Sequence, residues 1–275
     1  MTYTYRYPLL LTGTIDPRKY DGEVKDVKER LNKYENAITK YICETPFNPI
    51  VFAENSDYPF DAAKFESLAE KNGKKFELVR GTVCKEQVKK HGKGYGDAFL
   101  IYEGLNNSFL LKHVDIFYKM TGRIFLKNSY KIVRTRDKHR NEFICYDGMG
   151  WCMTYIFKSN RDDYLNILGD VYRECDDKST RDIEICFWLR LQKSTADIGT
   201  FSVFPDIEGN MGETSIPYTR SQVERSLRTW MSKLGIFTMN SRSSRLFWKI
   251  YQNVTGRKPY VTVSNNQVTS EKRMT

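Results

Sequence analysis

HGKGYGDAFLIYEGLNNSFLLKHVDIFYKMTGRIFLKN, residues 91–128, joins a glycine-rich basic turn, an apolar helix and a strand bearing two cations. In Gly92-Lys93-Gly94-Tyr95-Gly96 the missing side chains let backbone N–H groups approach an anion, and a following helix adds the positive end of its dipole. The turn therefore reads as a phosphate site or as a plain loop. It has neither the spacing of a dinucleotide fingerprint nor the Gly-Lys-Ser/Thr ending of a P-loop. Phe99, Leu100, Tyr102, Leu105, Phe109 and Leu110 recur at spacings of three and four, the pattern of a helix packed along one face. Asp115 to Leu126 reads as a strand, with Gly122 set between Lys119 and Arg123 where a ligand can come close to the backbone.

Upstream, Tyr7 to Thr12 (YPLLLT) has the length of a buried strand and runs into the turn Gly13 to Pro17. A helix is expected from about Glu23 to Ile42, a strand over Ile50 to Ala53, a helix over Ala62 to Lys71 stopped by Asn72-Gly73, and a strand over Phe76 to Val79. Strands alternating with helices build a mostly parallel sheet with helices on both faces, an α/β fold. Ligands of such sheets sit beyond the carboxyl ends of the strands. That rule gathers Thr12 to Thr14, Glu54 to Asp57 and the Lys119 to Arg123 region into one crevice.

Beyond Asn128 the pattern is mixed. Strands are expected at Tyr130 to Val133, Phe143 to Tyr146, Met153 to Phe157 and Phe201 to Pro205. Trp151 follows a glycine-bearing turn, and helices are expected at Asp162 to Tyr172 and Ile183 to Leu191. Asp162 and Asp163 suit the positive end of a helix dipole.

Composition sets the limits. The 275 residues are 40% apolar and 14% aromatic, which makes a globular chain. No run of 18 apolar residues is present, and the N-terminus lacks the form of a secretory signal, so a cytoplasmic protein is expected. Six cysteines fall in no CxxC pair and no histidine spacing is that of a metal site, so reduced thiols and no structural metal are expected. Net charge is +10, of which +9 lies in residues 220–275, with eleven Lys/Arg against two Asp/Glu. The chain divides into an α/β part, 1–219, and a basic helical segment, 220–275, whose last dozen residues, polar and without periodicity, are expected to be disordered. In that segment Arg225, Arg228, Trp230, Lys233, Arg242, Arg245, Phe247, Trp248 and Lys249 interleave. Such a segment lies peripherally on an anionic membrane, binds nucleic acid, or packs on the domain as an ordinary basic helix.

With these parts in order, the chain resembles a small bacterial nucleotide-sugar glycosyltransferase of the GT-A type, Rossmann-related in its sheet, of the kind encoded in capsule and lipopolysaccharide gene clusters. The likeness rests on LLLTGTID, IVFAENSDY, HGKGYGDA and IFYKMTGRIFLKN over roughly residues 7–215. It implies a donor site built from Thr12, Thr14, Glu54, Asp57, Lys93, Lys119 and Arg123, and an acceptor site in which Trp151 stacks on a sugar. It implies a general base early in a later helix or in a loop: Asp182, Glu184 or Glu213. The implied partners are a nucleotide-sugar donor, a saccharide or lipid-linked acceptor and the inner membrane face. The family commonly holds Mg²⁺ or Mn²⁺ on an Asp-x-Asp pair, but here that neighbourhood reads Lys119-Met120-Thr121-Gly122-Arg123. A Lys/Arg strand is a poor site for an oxygen-seeking cation, so transfer without a metal is expected. The competing expectations are a nucleic-acid-binding protein and a catalytically silent α/β binding protein.

Overall fold

The computed structural model describes residues 6–134, 139–210, 217–259, 261–264 and 267–270. β1 (Leu9–Gly13) and β2 (Ile50–Glu54) are buried along their whole length, as strands covered on both faces must be. Between them runs α1 (Val27–Glu44), opened by Asp26, whose carboxylate accepts from the Lys28 and Glu29 amides. α2 (Ala62–Lys71), capped in the same way by Asp61, leads to β3 (Phe76–Arg80). α3 (Lys85–His91) and α4 (Lys93–Asn107) are separated by Gly92 alone, at φ +96°. β4 (Ile116–Thr121) follows, then β5 (Phe125–Leu126) and α5 (Ser129–Arg134).

The second half contributes β6 (Asn141–Glu142), the hairpin β7 (Cys145–Tyr146) and β8 (Trp151–Cys152), β9 (Ile156–Asn160) and α6 (Arg161–Ile167). α7 (Ile183–Lys193), β10 (Ile198–Gly199) and β11 (Ile207–Glu208) come next. α8 (Gln222–Lys233), α9 (Arg242–Thr255) and the paired strands β12 (Val261–Ser264) and β13 (Gln267–Ser270) close the described chain. The sheet order is β10-β6-β9-β4-β1-β2-β3. Strands β3, β2, β1 and β4 are mutually parallel, β9 runs antiparallel between β4 and β6, and β10 is parallel to β6.

Alternation along β1 divides the core. Leu9 and Leu11 join α1 and α2 on one face, while Leu10 meets α4, α6 and α7 on the other. The mostly parallel α/β sheet read from the sequence is therefore present, with helices on both faces. Among the described residues no helix is long and apolar enough to cross a membrane.

Several local expectations are corrected. Apart from Gly92, the glycine-rich stretch is helix: its glycines permit close packing, and a Cβ on Gly94 would come within 2.7 Å of the Asp177 carboxylate. Tyr130 to Val133 is α5, not a strand, because a helix there buries Ile132 and Val133. Phe201 to Pro205 is irregular, and the neighbouring β11 pairs with β5 instead. The expected helix from Asp162 to Tyr172 stops at Ile167 and gives way to a short 3-10 turn at Val171–Glu174. β13 lies within the last dozen residues that the sequence left without structure. Cys145 and Cys152 form a disulfide where reduced thiols were expected, since antiparallel pairing sets them directly opposite with Cα atoms 4.2 Å apart.

Candidate active site

A cavity of about 460 Å³ opens where the carboxyl ends of β1, β2 and β4 meet α4 and the start of α7. β1 delivers Thr12, Gly13 and Thr14, the residue after β2 is Asn55, and β4 with its turn supplies Thr121 and Arg123. Lys93, Gly96 and Asp97 enter from the first turns of α4, Thr154 and Tyr155 precede β9, and Glu184 opens α7. The crevice expected from strand order is thus a cleft, and it brings together Thr12, Thr14, Lys93, Arg123 and Glu184.

The rim is stitched by side chains of the loops after β1 and β2. The Thr14 hydroxyl donates to Asn55 Oδ1 at 2.7 Å, and Arg30 of α1 donates to the Thr14 carbonyl at 2.8 Å. The Tyr20 hydroxyl and Lys19 ammonium both donate to the Asn55 carbonyl, at 2.6 and 2.8 Å. At Gly13 any Cβ would collide with the ring of Tyr34, so close packing requires glycine there.

Lys119 lies beneath this cleft in the middle of β4, only 3% exposed. Its ammonium donates to the Thr154 carbonyl at 2.9 Å, which fixes β4 to the loop entering β9. Burial pulls its pKa down to about 8, and the Asp97 and Glu184 carboxylates oppose that shift. The Thr154 hydroxyl in turn donates to Glu184 Oε1 at 3.1 Å. One threonine therefore touches both the buried cation and the cleft acid. Arg123 donates to the Asn210 carbonyl at 2.9 Å, which orients it at the rim.

Other residues named from the sequence lie elsewhere. Glu54 is fully buried and accepts from the amides of Ile15, Ser56 and Asp57 and from the Ser56 hydroxyl, and it pairs with Arg80 at 2.6 Å. Its carboxylate closes the loops after β1 and β2, and its neighbour Asn55 is what lines the cleft. Asp57 is exposed, has φ +57° and pairs with Lys19 at 2.5 Å. Asp182 caps α7, accepting from the Ile185 amide at 2.9 Å, so Glu184 is the acid of that pair that reaches the cleft. Trp151 lies away from the cleft, packed edge-on against Tyr146 in a second cavity. Glu213 lies outside the described residues.

The first turn of α4 departs from the anion site read at Gly92 to Gly96. The Gly94 amide donates to Asp177 Oδ2 at 3.1 Å, so a carboxylate of the chain itself occupies that helix end. Burial raises the Asp177 pKa, with the amides of Gly94 and Lys93 opposing. Sequence reasoning missed Asp97, Tyr20, Arg30, Tyr155 and Tyr218, and it placed Asn55 in the crevice only as part of the stretch Glu54 to Asp57. Asp97 was within reach, because it follows Lys93 by four residues and so shares its helix face. Among the described residues no group of three His, Cys, Asp or Glu side chains is arranged to hold a metal ion.

No protein-family model matches the chain, and no curated protein matches its sequence. Among solved structures it is similar to the glycosyltransferase GlyE of Streptococcus pneumoniae TIGR4 (TM-score 0.46, 10% identity, 70% of this chain and 45% of that one). It is similar to the bifunctional glycosyltransferase WbbM (TM-score 0.47, 10% identity, 84% and 45%). It is also similar to a nucleoside-diphosphate-sugar pyrophosphorylase of Vibrio cholerae RC9 (TM-score 0.40, 17% identity, 70% and 90%). The chain spans less than half the length of the first two.

Proposed function

We propose that the chain transfers a sugar from a nucleotide-sugar donor to a saccharide or lipid-linked acceptor in the assembly of cell-surface polysaccharide, at the inner face of a membrane and without a divalent metal. The observation that carries this reading is the grouping of Lys119, Lys93 and Arg123 with Glu184 in and beneath one cleft at the carboxyl ends of parallel strands.

In this reading the donor pyrophosphate sits by the cations. An inverting transfer forms a bond from the acceptor hydroxyl oxygen to the anomeric carbon and breaks the bond from that carbon to the β-phosphate oxygen. Glu184 takes the hydroxyl proton, and the nucleoside diphosphate leaves with its new charge facing fixed cations. Prepositioned charge of this kind stabilises a leaving group without reorganisation at the moment of reaction. On the resemblance to the GT-A type, Lys119 to Arg123 correspond to the place where that family keeps its metal acids, and a Lys/Arg stretch suits an anion better than Mg²⁺ or Mn²⁺.

The test is release of nucleoside diphosphate from UDP-, GDP- and CMP-linked sugars, read by mass spectrometry in EDTA with a mixed oligosaccharide acceptor (CMP release for the last). One donor is expected to turn over in EDTA, and Arg123→Ala to lose at least about a hundredfold with unchanged circular dichroism. Equal turnover by native chain and variant rejects the site. Turnover that appears only when Mn²⁺ is added rejects the metal-free step.

A further inference from the structure

We infer that α8 and α9 present a docking surface for an anionic lipid bilayer. It deepens the membrane location in the reading above and rests on that part of it alone, so vesicle binding and donor turnover fail separately. Seven of the ten large hydrophobic side chains left exposed among the described residues lie on or at the end of these two helices. On α8 they are Val223, Leu227, Trp230 and Leu234, spaced by four, three and four, a single stripe on a 3.6-residue helix. On α9 Leu246, Ile250 and Val254 repeat every four residues. A stripe of this spacing normally faces a core, yet Trp230, Leu246 and Ile250 are 58, 63 and 54% exposed.

The inward faces of both helices are already used. Trp248 is buried against Tyr146 and Phe237, and Arg228 is held by Glu224 and the Tyr146 hydroxyl. Of the aromatic residues for which the sequence left membrane, nucleic acid and packing on the domain open, Phe247 and Trp248 pack inward, Trp230 stays exposed, and the outward apolar surface is mostly aliphatic.

Charge decides which occupant fits. Exposed Lys233, Arg242, Arg245, Lys249, Arg257 and Lys258 flank the stripes, and Glu224 is the single acid in residues 217–259. A second copy of the chain would set this cation set against itself, which disfavours a symmetric pairing. Single-stranded nucleic acid would answer the cations, but of the seven exposed apolar side chains Trp230 alone offers a base a stacking face, and the six Leu, Ile and Val offer neither stacking nor hydrogen bonds. An anionic bilayer answers both, with headgroups on the cations and acyl chains beneath the aliphatic stripe.

The test is flotation of the full chain with vesicles of phosphatidylcholine alone and of phosphatidylcholine mixed with phosphatidylglycerol. The expected result is binding to the mixed vesicles, weakened by salt, at least about tenfold weaker on neutral vesicles, and lost by the same factor in Leu246→Glu/Ile250→Glu. Both sites are already solvated, so the double variant is expected to keep the native thermal midpoint; Lys249→Glu/Arg245→Glu provides a second variant with no apolar change and is expected to lose binding as well. Absence of vesicle binding overturns the inference. So does binding that the aliphatic double variant leaves unchanged, a native chain that elutes as a dimer which Leu246→Glu/Ile250→Glu dissociates, or binding of single-stranded RNA tighter than binding of mixed vesicles.

Discussion

The buried ammonium of Lys119 donates to the carbonyl oxygen of Thr154 at 2.9 Å, and the hydroxyl of that threonine donates to Glu184 at 3.1 Å. A cation buried beneath the cleft and an acid that lines it are thereby held through a single residue. A change at any of the three therefore reaches the other two.

Lys119 titrates where enzymes are assayed. With its pKa drawn down to about 8, it is charged below that pH and neutral above it. If the cation assists departure of the diphosphate, donor kcat/KM falls above about pH 8, and Lys119→Met removes that limb along with most of the activity. Stability moves in the opposite sense. The folded pKa lies below the ordinary lysine value of about 10.4, so the folded state binds fewer protons between the two values and gains stability as pH rises through that window. Thermal midpoints from pH 7.5 to about 10 check this, with the native chain expected to gain relative to Lys119→Met across that window, since Lys74, whose pKa burial also lowers, titrates alike in both.

Glu184 and Asp182 separate two jobs that the sequence could not tell apart. Glu184→Gln is expected to lower kcat by about 10² or more with little change in donor KM, as removal of a general base does. Asp182→Ala removes the cap of α7 and is expected to cost about 1 kcal/mol of stability while kcat stays near native. Steady-state kinetics and urea unfolding on both variants decide the assignment.

Glu54→Gln tests whether that acid builds the cleft or binds in it. Its carboxylate is engaged by three amides, a hydroxyl and Arg80. Leaving a buried charge-paired network incomplete costs about 3 kcal/mol, and each kcal/mol moves the midpoint of a chain this long by about 2 °C or slightly more. The expected outcome is a midpoint lower by several degrees, with donor KM nearly unchanged in the folded fraction.

Gly13→Ala places a methyl group into the Tyr34 ring. Overpacking of this kind costs about 1–3 kcal/mol, and here it also displaces the Thr14 loop that rims the cleft. Differential scanning fluorimetry is expected to show destabilisation, and a companion Tyr34→Leu change in Gly13→Ala to recover part of it.

What the sequence made legible follows from how each signal arises. β1 and β2 were readable because fully buried parallel strands leave continuous apolar runs, and α2 because Asn72-Gly73 closes it at its observed end. The cleft was readable through strand order, because ligands of such sheets gather at the carboxyl ends. The glycine-rich stretch misled, because Gly94 and Gly96 serve close packing inside α4 as readily as they would serve a turn, and only the partner Asp177, 83 residues from Gly94, distinguishes the two uses. Glu54 misled for a related reason: an acid at a strand end looks the same whether it faces a ligand or the amides of its own loop. Trp151 and Trp248 sit in a region whose packing depends on α8 and α9, which no local pattern near either residue announces.

If the cations of this cleft hold a nucleoside diphosphate, equilibrium binding reports it without any acceptor. Native chain, Lys119→Met and Arg123→Ala are compared by thermal shift against UDP, GDP and CDP in EDTA. Ligand at a hundredfold excess over its Kd stabilises by about 2.7 kcal/mol, a readable shift. One nucleotide is expected to raise the native midpoint, and both variants to lose at least half of that rise. No rise with any nucleotide, or a rise of equal size in all three proteins, contradicts this assignment.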